Sequence, residues 1–545
     1  MIVFALWGVT VVPFWRWQIN TDGVSYLSVA KKYLAGHFAD AINAYWSPLY
    51  SWLLAGLIAT GIEPLLATKV LAILVGEAIL AIVWWVGANL RLTRDVRLLV
   101  CLTLCPILIH FGMVVASPDL LVAALILVYL AQMTSPRYEQ RWHSRAVSGA
   151  LGGVAYLAKG YALPFVLTHF SLVNAFDFVR HRGERRRILA AAAAGLLALA
   201  ILVGAWGLCL KSKYGYFTTG SAMDFGLAWE GPHFVLPRDQ GFLAPPDALA
   251  VSAWDDATTL RFERWNPLGS DAEREHFRVN RERNWRQIVD ICSRRFTPLL
   301  WPILIAAVVC ACTAADPPPR RPGFILVSAL ILYPVGYYLL HVYPRFLIPM
   351  CVLLLLIGAW VIAAIARALR LHPAVRIVAT ALLCLSFLYA PGPPQKRATR
   401  VAGPTEQTAR KDEARGSELV QMLGRWSVAY GWGGGRRLAK ASKDLRGRMP
   451  EGSRVASANN WDAALFLSYH LGLKYWGIAP PKASGDQILA DLRSKQIEYF
   501  MVWGDPSEFP FVAGWPELDL GQIQRLHVYR VPPERSATPL AVRLG

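Results

Sequence analysis

Long apolar runs alternate with short polar connections along roughly the first 390 residues of the chain. Most of these runs approach the length that a helix needs to cross a bilayer, about 17–25 residues. The pattern predicts an all-α polytopic membrane protein with about eleven transmembrane helices in a domain at residues 1–392. The predicted spans are 1–16, 65–90, 98–116, 118–133, 146–158, 161–178, 188–210, 298–315, 324–341, 346–366 and 375–391.

The connections between these runs differ strongly in positive charge. Five alternate connections, such as "RLTRDVR" and "RHRGERRR", together contain sixteen Lys and Arg residues, whereas the short turns on the opposite side contain two. An excess of Lys and Arg marks cytoplasmic loops, so the N-terminus is predicted to lie inside. Three long segments then fall on the outer face: 16–64, 211–297 and 392–545.

The pattern changes after the last predicted span. Residues 393–450 are rich in Gly, Arg and Lys, and predict a basic linker with an amphipathic helix. The following stretch alternates short β-type runs ("RVASA", "KYWGIA", "YFMVWG", "LHVYRV") with helical ones. Such alternation is typical of a small α/β unit. We predict an extracytoplasmic α/β domain at 451–545.

Composition supports a membrane protein and excludes several other classes. The chain is 55% hydrophobic and only 17% charged, against about a quarter charged in soluble proteins. The net charge of +19 lies largely in short loops, so membrane lipids rather than nucleic acid are the predicted partners. The eight cysteines indicate no disulfide framework. Walker A, dinucleotide-binding and D-x-D motifs do not occur in the sequence, which argues against a nucleotide-consuming pump or enzyme.

Two acids and two bases lie at the predicted outer ends of apolar helices: Asp22, Asp119, Lys159 and Arg345. Together they suit an anionic lipid head group and a reaction that needs a base. Each also has a purely structural alternative. Asp22 is a candidate helix N-cap, Asp119 favours the dipole of its helix, Lys159 snorkels from a helix end, and interfacial arginines such as Arg345 are common.

Five further residues extend this set of candidates. Tyr26 and Tyr33 lie one above the other on the short helix that follows Asp22, and are predicted to form one wall of a substrate cavity. His341 precedes Arg345 by four residues and is a candidate for the same cavity. Glu77 and His110 lie inside predicted spans, where ionisable side chains mark function or helix packing.

Several stretches, taken in order, resemble the GT-C superfamily of polyprenyl-phosphate-sugar-dependent glycosyltransferases. They are the early Asp22 with "YWSPLYSWLLAGL", then "SPDLL", "YLAKGYALPF" and "YPRFLIPMCVLLLLIGAW". Within the superfamily the chain is similar to bacterial lipid A aminoarabinose transferases and their protein O-mannosyltransferase relatives. The resemblance covers about residues 1–390.

The resemblance implies a function and a set of roles. The donor is a sugar on a C55-type polyprenyl phosphate, and the acceptor is a lipid, a glycan or a protein at the outer face of the bacterial cytoplasmic (inner) membrane. Asp22 acts at the sugar carbon as the base of an inverting reaction, and Asp119 organises the site or a divalent metal ion. Lys159 contacts the lipid phosphate, with Arg345 as a weaker match. Many O-mannosyltransferases carry Asp-Glu where this chain has Asp22-Gly23, which weighs against a protein acceptor.

Two other classes of function remain open at this stage. A lipid or polysaccharide transporter or flippase predicts inverted repeats and polar residues near the bilayer midplane, and only Glu77 and His110 approach that position. A non-catalytic membrane scaffold that presents the α/β domain predicts no convergence of polar groups at the outer helix ends.

Overall fold

A computed structural model describes residues 1–313, 317–389, 435–518 and 525–533. The described chain is mainly helical, with one small sheet near its C-terminus. In chain order its helices and strands are α1 (Ile2–Trp15), α2 (Thr21–Leu34), α3 (Phe38–Ala41), α4 (Pro48–Ala59), α5 (Pro64–Asn89), α6 (Arg94–Val114), α7 (Asp119–Thr134), α8 (His143–Ala158), α9 (Ala162–Arg180), α10 (Arg185–Tyr214), α11 (Ala222–Trp229), α12 (Asp271–Asp290), α13 (Leu300–Thr313), α14 (Pro317–Leu332), α15 (Val335–Leu339), α16 (Ile348–Ala368), α17 (Pro373–Tyr389), α18 (Gly435–Leu445), β1 (Arg454–Ser457), α19 (Trp461–Leu471), β2 (Lys474–Ile478), α20 (Gly485–Ser494), β3 (Tyr499–Trp503) and β4 (Leu526–Arg530).

The chain divides into two compact units, which we call unit 1 and unit 2. Unit 1 takes Met1–Gln18, Tyr33–Phe234 and Phe262–Gly433. Unit 2 takes Ile19–Lys32, Val235–Arg261 and Gly434–Gly545. The C-terminal sheet domain thus forms one unit with most of α2 and with part of the long segment predicted at 211–297.

Unit 1 contains the membrane-crossing helices. Six helices among the described residues are long and apolar enough to cross a bilayer, and a seventh span results if the helix pair bent by 97° after residue 296 is counted as one. Three of them are α5 (Pro64–Asn89), α6 (Arg94–Val114) and α9 (Ala162–Arg180). The other three are α10 with the turn before it (Arg182–Tyr214), α14 continued by α15 (Arg321–Leu339), and α16 with the turn before it (Pro344–Ala368). The prediction of a multi-pass membrane protein is therefore confirmed.

The predicted number of eleven spans is not confirmed. A helix covers each predicted span, but α1, α7, α8 and α13 have only 14 to 16 residues. At 1.5 Å per residue, 16 residues rise about 24 Å, less than the roughly 30 Å hydrocarbon core. The sequence pattern located these four helices, but each is too short to cross the hydrocarbon core unaided.

Helix α16 forms the centre of unit 1. In the most apolar part of Pro344–Ala368, 94% of the residues are buried, whereas α10 buries only 22% of its corresponding stretch. Close helix contacts elsewhere depend on small residues, as is common in membranes. A Cβ on Gly149 of α8 would lie 1.8 Å from the carbonyl oxygen of Gly195 on α10. Only glycine permits that crossing.

Unit 2 contains a four-stranded sheet of order β2-β1-β3-β4. β1 pairs in parallel with β2 and β3, and β4 runs antiparallel to β3. The four strands and the helices α19 and α20 lie where the sequence pattern predicted them. Their apolar side chains build a core that includes Phe500, Val502, Ile488 and Leu492.

The predicted basic linker at 393–450 lies outside the described residues up to residue 434. Its last part forms α18, which packs Leu438, Ala441 and Leu445 into unit 2 and leaves Lys440 and Lys443 exposed. This is the amphipathic helix that the composition predicted.

Candidate functional site

The carboxylate of Asp119 binds two cationic side chains at the start of α7. Lys159 Nζ lies 2.6 Å from Asp119 Oδ1, and Arg345 Nε lies 3.5 Å from Oδ2. Ser117 Oγ donates a hydrogen bond of 2.7 Å to Oδ2. We call Asp119, Lys159 and Arg345 the Asp119 centre. Three of the residues predicted for the site are thus brought together within unit 1.

Local chain geometry explains why Asp119 stands at this point. Helix α6 ends at Val114, and Pro118 then caps α7, so that Asp119 is the first helical residue. A carboxylate there is stabilised by the free amides and the positive end of the helix dipole. The fully buried Lys69 donates a 2.8 Å hydrogen bond to the carbonyl oxygen of Met113 and so fixes the end of α6.

Lys159 follows the last residue of α8 in an extended conformation. The backbone amide of the next residue, Gly160, donates a 3.1 Å hydrogen bond to Ser47 Oγ at the start of α4. A Cβ on Gly160 would meet no atom within 4 Å. The space beside the Lys159 turn is therefore open to a bound group, because no protein atom fills it.

A column of aromatic rings connects the Lys159 turn to the Arg345 turn. Tyr161 stacks on Tyr337 at a centroid distance of 3.8 Å, and Tyr337 stacks on Phe346 at 5.1 Å. Lys159 Nζ lies 3.8 Å from the centroid of the Phe346 ring. A cation over an aromatic face gains about 0.5–2 kcal/mol, more when desolvated. Arg345 Cζ lies 5.2 Å from the same centroid, so both cations of the Asp119 centre contact the Phe346 ring.

Helix α12 fastens the irregular chain that leads to Arg345. Three of its side chains, spaced three residues apart on one face, donate hydrogen bonds to backbone carbonyls of residues 338–342. The bonds run from Arg281 Nε to Tyr338 (2.9 Å), from Asn284 Nδ2 to Tyr338 (3.2 Å) and Leu340, and from Gln287 Nε2 to Val342 (3.0 Å). These bonds satisfy carbonyls that no helix or strand pairs.

A cavity opens beside the Asp119 centre. Asp119, Ser117 and Arg345 supply its polar wall, and Phe111 and Val115 are among its apolar residues. The side chains of Lys159 and Arg345 are each 23% exposed, whereas that of Asp119 is 6% exposed. Solvent or a ligand can thus reach the two cations more easily than the acid that joins them.

Two predicted site residues of unit 1 lie among aromatic rings. His341 lies 5.7 Å from Phe346 and 6.0 Å from Trp229, measured between ring centroids. Tyr33 contacts the Trp52 ring at 6.2 Å. Burial raises the pKa of Tyr33 to about 12, so its phenol stays protonated at neutral pH. Glu77 and His110 are not among the residues that line the cavity.

Asp22 and Tyr26 belong to unit 2. Helix α2 begins at Thr21, so Asp22 lies in the first turn rather than at the N-cap, which corrects the structural alternative considered for it. Tyr26 is only 4% exposed, and nearly every residue from Gly23 to Ala30 is buried. The stretch from Gly23 to Ala30 is therefore buried on all sides, rather than presenting one face as the sequence pattern suggested.

Two serines of the site were not predicted from the sequence. Ser47 precedes Pro48, the first residue of α4, and Ser117 precedes Pro118, the N-cap of α7. Their hydroxyls bind the Gly160 amide and the Asp119 carboxylate, respectively. The available signal was the repeated Ser-Pro at the predicted outer ends of apolar helices. Serine before a helix is common, however, and its partner depends on tertiary packing.

The described residues show no metal site. Over 1–313, 317–389, 435–518 and 525–533, no three His, Cys, Asp or Glu side chains converge so that they could hold a metal ion.

Comparison with known proteins places the fold. No protein-family model and no curated protein sequence matches the chain. Among solved structures it resembles ArnT from Cupriavidus metallidurans bound to undecaprenyl phosphate, with 14% identity over 98% of each chain and a TM-score of 0.54. The apo state of that protein matches with 13% identity over 97% of each chain and a TM-score of 0.53.

A more distant likeness is to the oligosaccharyltransferase of Archaeoglobus fulgidus in complex with zinc and sulfate. It has 11% identity over 89% of this chain and 64% of that one, with a TM-score of 0.49. The two ArnT structures alone carry the conclusion that follows. This chain therefore has the fold of these ArnT structures over almost its whole length.

Proposed function

We propose that this protein is an integral-membrane glycosyltransferase that moves a sugar from a polyprenyl-phosphate donor to an acceptor at the outer face of the cytoplasmic membrane. The observation that carries the proposal is the Asp119 centre: two partly exposed cations, held by one buried carboxylate, beside a small cavity. Such a pair suits an anionic phosphate in a lipid-linked donor. The GT-C fold supports the same class of reaction.

The chemistry requires a stabilised leaving group. When the acceptor oxygen bonds to the anomeric carbon, the bond from that carbon to the phosphate oxygen breaks, and the electron pair leaves with the polyprenyl phosphate. Lys159 and Arg345 stabilise the negative charge that develops on this oxygen. Asp119 holds both cations in place, so they need little reorganisation during the reaction.

Asp22 is the proposed base. It accepts the proton of the acceptor hydroxyl as that oxygen attacks, and direct attack inverts the anomeric configuration. The proposal rests on its place in the first turn of α2, directly after the first apolar helix, and on the GT-C resemblance. Tyr26, Tyr33 and His341 are proposed as substrate-binding residues on the same grounds.

The convergence at the Asp119 centre favours an enzyme over a non-catalytic scaffold, because a scaffold has no need of cations beside a cavity. A transporter or flippase would also bind a lipid phosphate, but it would not form a new glycosidic bond. Product formation therefore separates the two classes.

The decisive test compares a deletion strain with its parent by mass spectrometry of envelope lipids and glycans. We expect one sugar modification to disappear on deletion and to return with the wild-type gene. The Asp22→Asn variant keeps the size of the side chain but is a far weaker proton acceptor, and the initial product rate should fall by roughly 10²–10⁴-fold at normal protein level. A near-normal rate from an abundant Asp22→Asn variant would remove Asp22 as the base.

The predicted topology has its own test. Alkaline phosphatase fused after residue 545 should be active if unit 2 is extracytoplasmic, and a cytoplasm-only reporter at the same position should be silent. The opposite pair of results would place the C-terminal domain on the cytoplasmic side and contradict the outer-face reaction.

A further inference from the structure

The outer edge of the sheet in unit 2 is covered by residues 241–255, which we call the bridging segment. Leu243 N donates to the carbonyl oxygen of Trp476, and Tyr475 N donates to that of Val251, both at 2.7 Å. Lys474 Nζ adds a 2.8 Å hydrogen bond to the carbonyl oxygen of Ala250. The bridging segment is thus attached to β2 by backbone bonds near both of its ends.

The fit between the bridging segment and β2 is close. Gly477 has φ +111°, and a Cβ there would lie 2.8 Å from the carbonyl oxygen of Gly241. Any other residue at 477 would therefore be strained in its backbone and would push the segment away. The bridging segment is therefore packed tightly against β2 as well as hydrogen-bonded to it.

The opposite side of the bridging segment binds α2. Lys32 Nζ lies 2.6 Å from Asp247 Oδ2, and the Lys32 side chain is only 1% exposed. The other oxygen of Asp247 accepts hydrogen bonds from the backbone amides of Leu249 and Ala250, at 2.9 and 2.8 Å. Asp247 therefore links the helix to the backbone of the bridging segment through both of its carboxylate oxygens.

A second set of contacts lies one and two turns earlier on α2. Ser28 Oγ donates to the carbonyl oxygen of Leu249 at 3.4 Å, and Ser25 Oγ donates to that of Trp254 at 3.3 Å. The fully buried Asp255 lies at the same junction and accepts a 2.8 Å hydrogen bond from the amide of Val251. Burial raises the pKa of Asp255 to about 6.

These contacts bear on the position of Asp22. Lys32, Ser28 and Ser25 lie on one continuous helix that begins at Thr21. Lys32 follows Asp22 by ten residues, which corresponds to about 15 Å along the axis of the helix. Holding the helix at three successive turns fixes the direction of its first turn as well.

We propose that the C-terminal α/β domain is a positioning element for Asp22. It acts through β2 and the bridging segment, with Asp247, Lys32, Ser25 and Ser28 as the positioning residues at the helix. The proposal rests on the proposed function in one respect, that Asp22 is the base. It assigns the C-terminal domain a part in the turnover step and none in donor binding.

The test measures turnover and donor-lipid binding separately. In the complemented deletion strain, Asp247→Asn should lower the initial product rate by roughly tenfold to a hundredfold, because a misplaced catalytic group loses about that much. The affinity of the purified full-length protein for undecaprenyl phosphate should stay within twofold of wild type. Asp247→Glu, which restores the charge, should recover part of the rate. The exposed Asp486→Asn in the same unit is the matched control and should match wild type in both measurements.

Each outcome decides between the two proposals. If Asp22→Asn abolishes the product but Asp247→Asn leaves the rate unchanged, the positioning proposal is wrong and the proposed function stands. If Asp22→Asn retains the product, the catalytic assignment fails, and the positioning proposal fails with it. If Asp247→Asn lowers the protein level, the Ser25→Ala/Ser28→Ala double variant replaces it. An unchanged rate in that double variant, or a parallel loss of undecaprenyl phosphate affinity, also overturns the positioning proposal.

Discussion

Two regions of unit 1 use the same charge motif, one aspartate shared by two cations, with different results. In the Asp119 centre the cations are Lys159 and Arg345. In the second region, which we call the Asp177 cluster, Arg321 binds both oxygens of Asp177 at 2.9 and 3.0 Å, and Arg145 binds one at 3.1 Å. The motif alone therefore does not identify a site.

Exposure and geometry separate the two regions. In the Asp177 cluster, Arg145, Asp177 and Arg321 are 3%, 0% and 7% exposed, and further bonds reach Asn174 and the carbonyl oxygen of Met133. In the Asp119 centre both cations are 23% exposed and Arg345 lines a cavity. The first region is closed and joins α8, α9 and α14, whereas the cations of the second are partly exposed.

The largest expected difference comes from neutralising each aspartate. Asp177→Asn leaves the buried Arg145 without its counter-charge and Arg321 with only the half-exposed Glu139, 3.2 Å away, and should destabilise the protein by about 3–5 kcal/mol. The readouts are protein level and the rate of thermal inactivation in detergent. Asp119→Asn should fold nearly normally but lose about a hundredfold in product rate, because its cations lose their orientation. Equal stability losses in the two variants would erase the distinction between the regions.

The next difference concerns the exchange of Lys and Arg. Arg321→Lys removes the paired contact with Asp177, which a single ammonium cannot reproduce, and should lower the thermal denaturation midpoint by several degrees. Lys159→Arg keeps a cation at the open centre and should retain a substantial fraction of the product rate, whereas Lys159→Ala should not. If Lys159→Arg were as inactive as Lys159→Ala, the Asp119 centre would tolerate a Lys-to-Arg exchange no better than the Asp177 cluster tolerates the reverse one.

The smallest expected effect is at Gly160. A Cβ there meets no protein atom within 4 Å, so Gly160→Ala should leave stability unchanged and should weaken binding of undecaprenyl phosphate severalfold if the phosphate approaches this turn. Gly204→Ala is the matched control, because its Cβ also meets nothing within 4 Å. Unchanged binding in Gly160→Ala would place the phosphate elsewhere.

The comparison also explains what the sequence pattern could and could not predict. Arg145 and Arg321 are two of the sixteen Lys and Arg residues counted in the five basic connections, and they lie in "TSPRYEQRWHSR" and "DPPPRRPG". Both are nevertheless buried against Asp177. A linear count cannot distinguish a loop arginine from one that turns back into the helices. Leaving these two arginines out of the count does not change which side of the membrane carries the excess of positive charge.

Local elements were easier to predict than contacts. The strands and helices of the α/β domain follow from alternation over a few residues, and each lies where it was predicted. The span boundaries placed Asp119, Lys159 and Arg345 at helix ends on one predicted side of the membrane, but periodicity carries no information on which helix ends meet. The recruitment of α2 into unit 2 depends on pairings more than 200 residues apart, such as Lys32 with Asp247, which no local pattern reveals.

Binding of undecaprenyl phosphate by the purified full-length protein tests the central claim most directly. This lipid is the common product of any such donor, so the test needs no knowledge of the sugar. We expect wild type to bind it in preference to phosphatidylglycerol, and Lys159→Ala to bind it about tenfold to a hundredfold more weakly, since a charge-assisted hydrogen bond contributes about 1.5–3 kcal/mol. Lys211→Ala, which removes an exposed lysine from the last turn of α10, should bind as wild type does. Equal affinity of wild type and Lys159→Ala, or no preference for undecaprenyl phosphate, would contradict the assignment of the Asp119 centre as the donor-phosphate site.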